Sequence, residues 1–322
     1  MTRNTGRGGA GGRPRPRRTA RIAVPSLLLA VALLFPRLLP NRPGNLGSLA
    51  ETALPWFAVA IAVLLLWAAA RGTRAGMAAA LVPLAAWCYL FVPTLTAPPR
   101  AGLGDFKALS FNVGGARTTP EAVAREVIAT GADLVALEKV PLGAVPAYEK
   151  ALAAAYPHHT TRNTLGLWSR HPLREVEALD LGGPWPHAIR AVAGTPGGDT
   201  AVYTVRLPSV RVRAAEGFAI GPRDAAAAHL ADRIARDPAP RMMLLGDLNG
   251  SLDDRGLAPL TRQLEPAQEH AGKGFGFTWP APFPVVRIDH VLLRGLEATT
   301  ASVLPDLGSD HRPVLTEVRR TA

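Results

Sequence analysis

The stretch RMMLLGDLNG, residues 241–250, decides the fold of this chain. It begins as a short apolar run typical of a buried strand and ends in a turn that carries Asp247 and Asn249. An isolated G-D-x-N string is more often a plain turn, because Asp and Asn side chains hydrogen-bond to nearby backbone there. The meaning of this stretch therefore depends on the segments around it.

Similar apolar runs recur from residue 105 to the last strand of the chain. They are rich in β-branched and aromatic residues and read FKALSFNV, ADLVALEKV, TAVYTVRL, RIDHVLL and PVLTEVR. Segments of helical period, such as EAVAREVIATGA and RDAAAAHLADRIARD, lie between them, and Pro and Gly mark the joins. This alternation predicts an α/β domain with layered sheets and helices outside them.

Polar residues stand at the ends of these predicted strands. Asn112 ends the first strand, Asp289 lies in RIDHVLL, and Asp310 and His311 directly precede the last strand. Each of them alone is usually a cap or a turn residue. Their number and their order along the chain make a shared site the stronger interpretation.

The strings LSFNV, DLVALE, GLWSRHPL, LLGDLNG, FTWP with RIDHVLL, and SDHRPV follow one another over residues 105–319. In this order they resemble the endonuclease/exonuclease/phosphatase family, which includes DNase I-like nucleases, neutral sphingomyelinases and inositol polyphosphate phosphatases. The resemblance implies a DNase I-like domain over residues 100–322, built as a four-layer α-β-β-α sandwich. It also implies a phosphoester hydrolase that uses Mg²⁺ or Mn²⁺, because a hard divalent ion with oxygen ligands can activate water and phosphate.

The resemblance also implies a role for each residue of the predicted site. Asp247 would handle the attacking water, Asn249 and His311 would donate hydrogen bonds to the phosphoryl group, and Asp289 would orient the site. The predicted metal ligands are Asn112, Glu138 and Asp310.

Two positions depart from the family pattern. Lys139 stands where the family has its metal-binding Glu, and Glu138 falls where the family usually has Gln. Side chains alternate along a strand, so residues 138 and 139 are expected to point to opposite faces unless the strand end is bulged or twisted. Arg206 stands where the family has its catalytic His, and arginine binds phosphate but cannot shuttle a proton.

Three functions stay open on the sequence. The first is an active metal-dependent phosphoesterase, with Glu138 reaching the metal. The second is a catalytically impaired member that acts as an anion-binding or interaction module. The third is a hydrolase in which the Lys139 charge replaces that of the metal. His187, or His158 and His159, are candidates to compensate for the missing His, although each is more often an ordinary loop histidine.

The net charge of +11 comes from the N-terminal hundred residues. They hold twelve of the 36 basic residues and one of the 25 acidic residues, Glu51, so residues 101–322 carry 24 of each sign. A neutral domain lacks the general attraction for polyphosphate that supplies most non-specific DNA affinity. A lipid head group or a small phosphoester is therefore at least as good a substrate as nucleic acid. Residues 101–322 are predicted to fold as a soluble monomer, and no oligomer is implied.

The first hundred residues predict a membrane region. Residues 1–21 hold seven Arg with almost nothing apolar to bury, which predicts a disordered tail. Within residues 22–99, three transmembrane helices are predicted at about 22–39, 52–70 and 75–96. For the first run, a cleaved signal peptide is the alternative, although it lacks a clear small-residue cleavage site.

The positions of the Arg residues predict the orientation of these helices. The tail and the short loop with Arg71 and Arg74 are the basic flanks, and they belong in the cytoplasm by the positive-inside rule. Three spans then make the chain an integral protein of the cell membrane with residues 101–322 outside the cytoplasm.

Overall fold

The structure is a computed structural model that describes residues 16–96, 103–115, 117–183, 187–214 and 216–321. The chain divides into two compact units, one of residues 1–38 and 54–91 and one of residues 39–53 and 92–322. Most of the predicted disordered tail, residues 1–15, lies outside the described residues. Its last six positions, 16–21, belong to the first helix.

The helices and strands of the described residues are numbered in chain order. The helices are α1 Pro16–Leu34, α2 Leu46–Thr52, α3 Phe57–Arg71, α4 Arg74–Thr96, α5 Pro120–Ala129, α6 Val145–Leu152, α7 Gly221–Arg236, α8 Ala258–Thr261 and α9 Ala267–Ala271. The strands are β1 Phe106–Asn112, β2 Leu134–Glu138, β3 His158–Arg162, β4 Leu165–Ser169, β5 Leu173–Leu179, β6 Ala188–Thr195, β7 Gly198–Arg206, β8 Arg211–Arg213, β9 Gly217–Ala219, β10 Met242–Asp247, β11 Glu265–Pro266, β12 Asp289–Arg294, β13 Leu296–Val303 and β14 Val314–Arg320.

The prediction of three membrane helices is corrected to two candidates. Among the described residues, Leu54–Arg71 and Arg74–Thr96 are long and apolar enough to cross a bilayer. The first run forms a shorter apolar helix, Ala20–Leu34, and does not continue to residue 39 because Pro36 follows. Fifteen helical residues rise about 22 Å, which is less than the roughly 30 Å of a hydrocarbon core.

Residues 92–322 form two six-stranded mixed sheets and a small hairpin. One sheet has the order β13-β14-β1-β2-β4-β3, and the other has the order β11-β12-β10-β7-β6-β5. Each sheet contains one parallel pair, β1 with β2 and β10 with β7. The central strands β2 and β10 are buried over their whole length, which explains their unbroken apolar sequences.

Three apolar clusters define the layers of this unit. One lies between the two sheets and includes Leu134 from the first and Met243 from the second. A second cluster packs α5 and α6 onto the outer face of the first sheet, and a third packs α7 and α8 onto the outer face of the second. The order is helix, sheet, sheet, helix. The predicted α/β sandwich of the DNase I-like type is therefore confirmed.

The segment between the first two apolar helices belongs to this same compact unit. Glu51, on α2, is fully buried, and its carboxylate accepts hydrogen bonds from the Arg255 backbone N–H over 2.8 Å and from Arg255 Nε over 3.0 Å. Asn45 Nδ2 donates to the Phe218 carbonyl over 2.8 Å. The unit thus begins earlier in the chain than the predicted boundary at residue 100.

Candidate active site

The polar residues predicted at strand ends meet at one edge of the two sheets. Asn112 is the last residue of β1, Asp247 is the last of β10, and Asp289 is the first of β12. Asp247 and Asp289 are direct partners across β10 and β12, and His311 lies in the connection before β14. All four side chains are buried.

Hydrogen bonds join these residues and Asn249 into one network. Asn112 Nδ2 donates to Asp247 Oδ2 over 2.8 Å and lies 3.3 Å from His311 Nε2. Asn249 donates its backbone N–H to Asp247 Oδ1 over 2.9 Å and its Nδ2 to Asp247 Oδ2 over 3.1 Å. His311 Nδ1 lies 2.9 Å from Asp289 Oδ2, and since an ionised carboxylate only accepts, Nδ1 donates this bond.

The surroundings of these groups shift their proton affinities. Burial, followed by the charge of Asp289, raises the pKa of Asp247 from 3.8 to about 6. Burial acts to lower the pKa of His311, but the charge of Asp289 and its hydrogen bond outweigh burial and raise that pKa above 6.5. A carboxyl group that ionises near pH 6 therefore lies beside an imidazole whose pKa is raised, a pairing suited to proton transfer.

Three residues outside the predicted set hold the network in place. The Ser309 hydroxyl lies 2.7 Å from the Asn112 carbonyl oxygen and 2.8 Å from that of Gly114. Thr278 Oγ1 accepts from the backbone N–H of Asp289 over 3.4 Å where β12 begins. Leu207 O accepts from Asn249 Nδ2 over 2.9 Å. Ser309 and Thr278 lie within the strings SDHRPV and FTWP, so their position in the motifs was the available signal.

The three predicted metal ligands have other partners in the structure. Glu138 is fully buried, accepts from Ser110 Oγ over 2.9 Å, and has a pKa raised well above 4.5, first by burial and then by the charge of Asp289. Asp310 Oδ2 lies 3.6 Å from Lys139 Nζ. Asn112 uses its Nδ2 in the network and its Oδ1 to accept from the Gly114 N–H over 2.9 Å. Glu138 Oε2 is the one buried carboxylate oxygen of this set without a hydrogen-bond partner among the described residues, whereas Asp310 lies beside the Lys139 ammonium, which repels a divalent cation.

Lys139 reaches the site because the strand does not continue through it. Its φ is 57°, in the left-handed region, so the alternation of faces expected for residues 138 and 139 ends at this position. Its side chain lies over Gly114, where any Cβ would collide with the lysine methylenes. The sequence could not reveal this conformation, because an unusual φ at a non-glycine residue leaves no signature.

Arg206 and His187 lie near the site, whereas His158 and His159 lie on another strand. Arg206 is the partner of Asp247 across β7 and β10, so it lies at the site edge of its sheet. His187 lies nearby, and its carbonyl accepts from the Arg206 backbone N–H over 2.9 Å. His158 and His159 lie on β3, the edge strand of the other sheet, and the ring of His159 stacks on Trp168. The structure therefore does not bring these last two into the network.

One group of the described residues has the composition of a metal site. Asp247, Asp289 and His311 are buried, and each offers one ligand atom within 4.8 Å of the others. The same atoms are engaged in the hydrogen bonds of the network. Residue types suited to a metal are present, while the position that the family resemblance assigns to the metal contains the Lys139–Asp310 pair.

Comparisons with known proteins agree with this arrangement. Residues 109–311 match the sequence profile of the Endonuclease/Exonuclease/phosphatase family. A search of the curated proteins finds no match.

Solved structures show the same fold at low sequence identity. A family protein from Bacteroides thetaiotaomicron has a TM-score of 0.56 and 14% identity over 69% of this chain and 100% of its own. D. rerio TDP2 complexed with a single-strand DNA product has a TM-score of 0.56 and 18% identity over 66% of this chain and 98% of its own. Sphingomyelinase C from Streptomyces griseocarneus has a TM-score of 0.51 and 20% identity over 66% of this chain and 98% of its own.

The profile match covers more than half of the chain and includes Asn112, Asp247, Asn249, Asp289 and His311. These are the residues that the hydrogen-bond network unites at the edge of an α-β-β-α sandwich. The chain therefore belongs to the Endonuclease/Exonuclease/phosphatase family.

Proposed function

We propose that this chain is a phosphoester hydrolase. The cluster of Asn112, Asp247, Asn249, Asp289 and His311 carries the proposal, because it places a base, an acid and the groups that position them in direct contact with one another. A buried acid whose pKa is raised to about 6 is typical of sites that transfer protons.

Each residue of the network has a role in the proposed reaction. The ionised Asp247 orients the attacking water and accepts its proton. His311 is oriented by Asp289, which also raises its pKa, and in its protonated form it donates a hydrogen bond to the phosphoryl oxygens as charge builds on them. Asn112 and Asn249 hold the Asp247 carboxylate in place, and both Nδ2 hydrogens of Asn249 are already used within the protein. A direct contact of Asn249 with the phosphoryl group stays a prediction.

Mg²⁺ or Mn²⁺ is the ion that the family implies, and its requirement is a separate proposal. A bound ion would supply a positive charge for the phosphoryl oxygens and a more acidic water. Asp247, Asp289 and His311 are the described residues with the chemical types to hold it. The Lys139 ammonium lies next to Asp310, and none of the steps described above involves a metal ion.

The proposed substrate is a lipid head group or a small phosphoester. The equal numbers of basic and acidic residues in residues 101–322 support this class, since a nucleic-acid substrate usually calls for a basic surface.

The assay that tests the function uses the full chain in detergent with bis(p-nitrophenyl) phosphate and p-nitrophenyl phosphate. It is run with EDTA, with Mg²⁺ and with Mn²⁺. Turnover in any of these conditions supports hydrolysis, and the conditions under which it occurs decide the metal requirement. The same three conditions are tested with phospholipid vesicles as the substrate. If no substrate is hydrolysed under any condition, the hydrolase proposal is overturned and the anion-binding module remains.

The rate of hydrolysis is expected to depend on pH through Asp247. Only the ionised carboxylate accepts a proton, so kcat/KM rises about tenfold per pH unit below 6 and levels off above it. At higher pH it falls again as His311, whose pKa is raised above 6.5, loses its proton. The profile is measured from pH 4.5 to 9. A rate that falls steadily between pH 5 and 7 contradicts the assignment of Asp247 as the base.

We also propose that α3 and α4 anchor the chain in the cell membrane with residues 101–322 outside the cytoplasm. The turn between these helices carries Arg71 and Arg74, which supports its cytoplasmic location. Residues 39–53 and 92–322 form one compact unit, which supports placing both flanks of the α3–α4 pair on the same side. The orientation of α3 and α4 is the same whether or not α1 crosses the membrane.

A reporter fused to the C-terminus tests this orientation. Alkaline phosphatase, which is active only outside the cytoplasm, is expected to be active, and a green fluorescent protein exported unfolded by the general secretion route is expected to be dark. The matched control is the same fusion placed after Gly72, between α3 and α4, which is expected to give the opposite pattern. Fluorescence of the C-terminal fusion with no phosphatase activity would reverse the orientation.

A further inference from the structure

The Lys139 ammonium is a fixed positive charge at the proposed site. Its nearest anionic partner, Asp310 Oδ2, is 3.6 Å away, which is beyond hydrogen-bonding distance. Asp310 Oδ1 is in turn 4.0 Å from His311 Nε2, so the ammonium lies next to the network. The side chains of Lys139 and Asp310 are 40% and 42% exposed, and a ligand can therefore reach them.

The lysine is positioned by the backbone on both sides of it. The left-handed φ of Lys139 turns its side chain off the end of β2, and Gly114 leaves the space in which its methylenes lie. A lysine side chain that is free in solvent has more rotamer entropy to lose on binding than one that already lies against the fold.

Arg206 supplies a second positive charge beside Asp247. It is the β-sheet partner of Asp247, and its Nη2 donates to Ser209 Oγ over 3.3 Å. Its Nε is buried and has no hydrogen-bond partner among the described residues. An unsatisfied guanidinium donor that is buried costs free energy until a ligand accepts its hydrogen bond.

These positions suit an anion better than a metal. Two cations, Lys139 next to Asp310 and Arg206 next to Asp247, lie at a site whose other nitrogen donor is the His311 imidazole. A phosphoryl group accepts charge-assisted hydrogen bonds from all three types of donor, and the planar guanidinium matches its oxygens in pairs. A divalent cation near the same ammonium would be repelled.

We infer that Lys139 and Arg206 together bind the phosphoryl oxygens, so that this site takes inorganic phosphate and phosphate esters without a divalent metal ion. The inference rests on the proposed function for the location of the substrate, but it concerns binding and does not require turnover.

Inorganic phosphate is the probe that tests this inference. The full chain in detergent is freed of metal with EDTA, and phosphate binding is measured by calorimetry. The wild-type chain is expected to bind phosphate in EDTA. Lys139→Met and Arg206→Met are each expected to weaken binding about tenfold or more, because each removes one charge-assisted contact. Lys150→Met is the matched control, since Lys150 is an exposed lysine on α6, and it is expected to bind like the wild type.

A reciprocal variant makes the test sharper. Lys139→Glu restores the acid of the family pattern and is expected to abolish phosphate binding in EDTA and to recover it when Mg²⁺ is added. Melting temperatures of all variants show whether they fold. Wild-type binding that needs Mg²⁺ from the start, or folded Lys139→Met with unchanged binding in EDTA, overturns the inference.

The two proposals fail in different ways. Phosphate binding in EDTA without cleavage of any ester overturns the hydrolase and leaves the inference standing. Cleavage that requires Mg²⁺, together with no phosphate binding in EDTA, overturns the inference and leaves the hydrolase standing.

Discussion

Asp247→Asn is expected to lower kcat for phosphodiester hydrolysis by roughly 10²–10⁴-fold, the usual contribution of a general base. The amide has nearly the shape of the carboxylate but cannot accept a proton from water. Its NH₂ group meets a donor in either orientation: the Nδ2 groups of Asn112 and Asn249 at the Oδ2 position, or the Asn249 backbone N–H at the Oδ1 position. At least one of these hydrogen bonds is lost, and this loss of order adds to the loss of the base.

Asp199→Asn is the matched control for this substitution. Asp199 is exposed, lies at the opposite end of β7 from Arg206, and pairs with Arg174 at the surface. It is expected to leave kcat unchanged. The double variant Asp247→Asn with His311→Gln is expected to be little slower than Asp247→Asn alone, because base and acid act as a unit. Activity of Asp247→Asn within threefold of the wild type would show that another group is the base.

Glu51→Gln is expected to destabilise the compact unit by about 3 kcal/mol, at the lower end of the range for breaking a buried ion pair. Glu51 is fully buried, while its partner Arg255 is 24% exposed and keeps part of its hydration. The carboxylate also accepts the backbone N–H of Arg255, and Arg255 Nη2 donates to the Leu39 carbonyl over 3.2 Å. One substitution therefore weakens several contacts of residues 39–53.

Thermal unfolding of the full chain in detergent measures this effect. For a unit of this size, about 3 kcal/mol corresponds to a melting temperature lowered by roughly 6–12 °C. Glu216→Gln is the control, because the Glu216–Arg213 pair is 56% exposed on both sides and such surface pairs contribute little. Equal melting temperatures of Glu51→Gln and the wild type would mean that the segment does not contribute to the stability of the unit.

The apolar pattern of the sequence was enough to place Asn112, Asp247 and Asp289 at the ends of strands, because a strand ends where its apolar run ends. The expectation that these residues share one site came from the order of the strings and from the family resemblance. Their hydrogen-bond partners could not be predicted, since they depend on the distance between two sheets. Ser309 and Thr278 entered the site for this reason without being expected.

Local backbone geometry and long-range docking set the limits of the prediction. Side chains of residues 138 and 139 face opposite ways only where the backbone is extended, and the backbone at Lys139, with a φ of 57°, is not extended. From the sequence, Glu51 could be recognised only as a charged residue between two apolar segments, because its partner Arg255 is 204 residues away. A fragment of residues 101–322 consequently lacks residues 39–53, a part of the compact unit.

The contact between Gly114 and Lys139 makes these two positions epistatic. Alanine at 114 would collide with the lysine side chain and push its ammonium away from Asp310. With a shorter side chain at 139 the same alanine meets no methylenes and becomes tolerable. The lysine is flexible and 40% exposed, so it can take another rotamer, and the cost of a side chain at 114 is the loss of the present position of the ammonium. The glycine at 114 thus sets where the positive charge of Lys139 lies in this site.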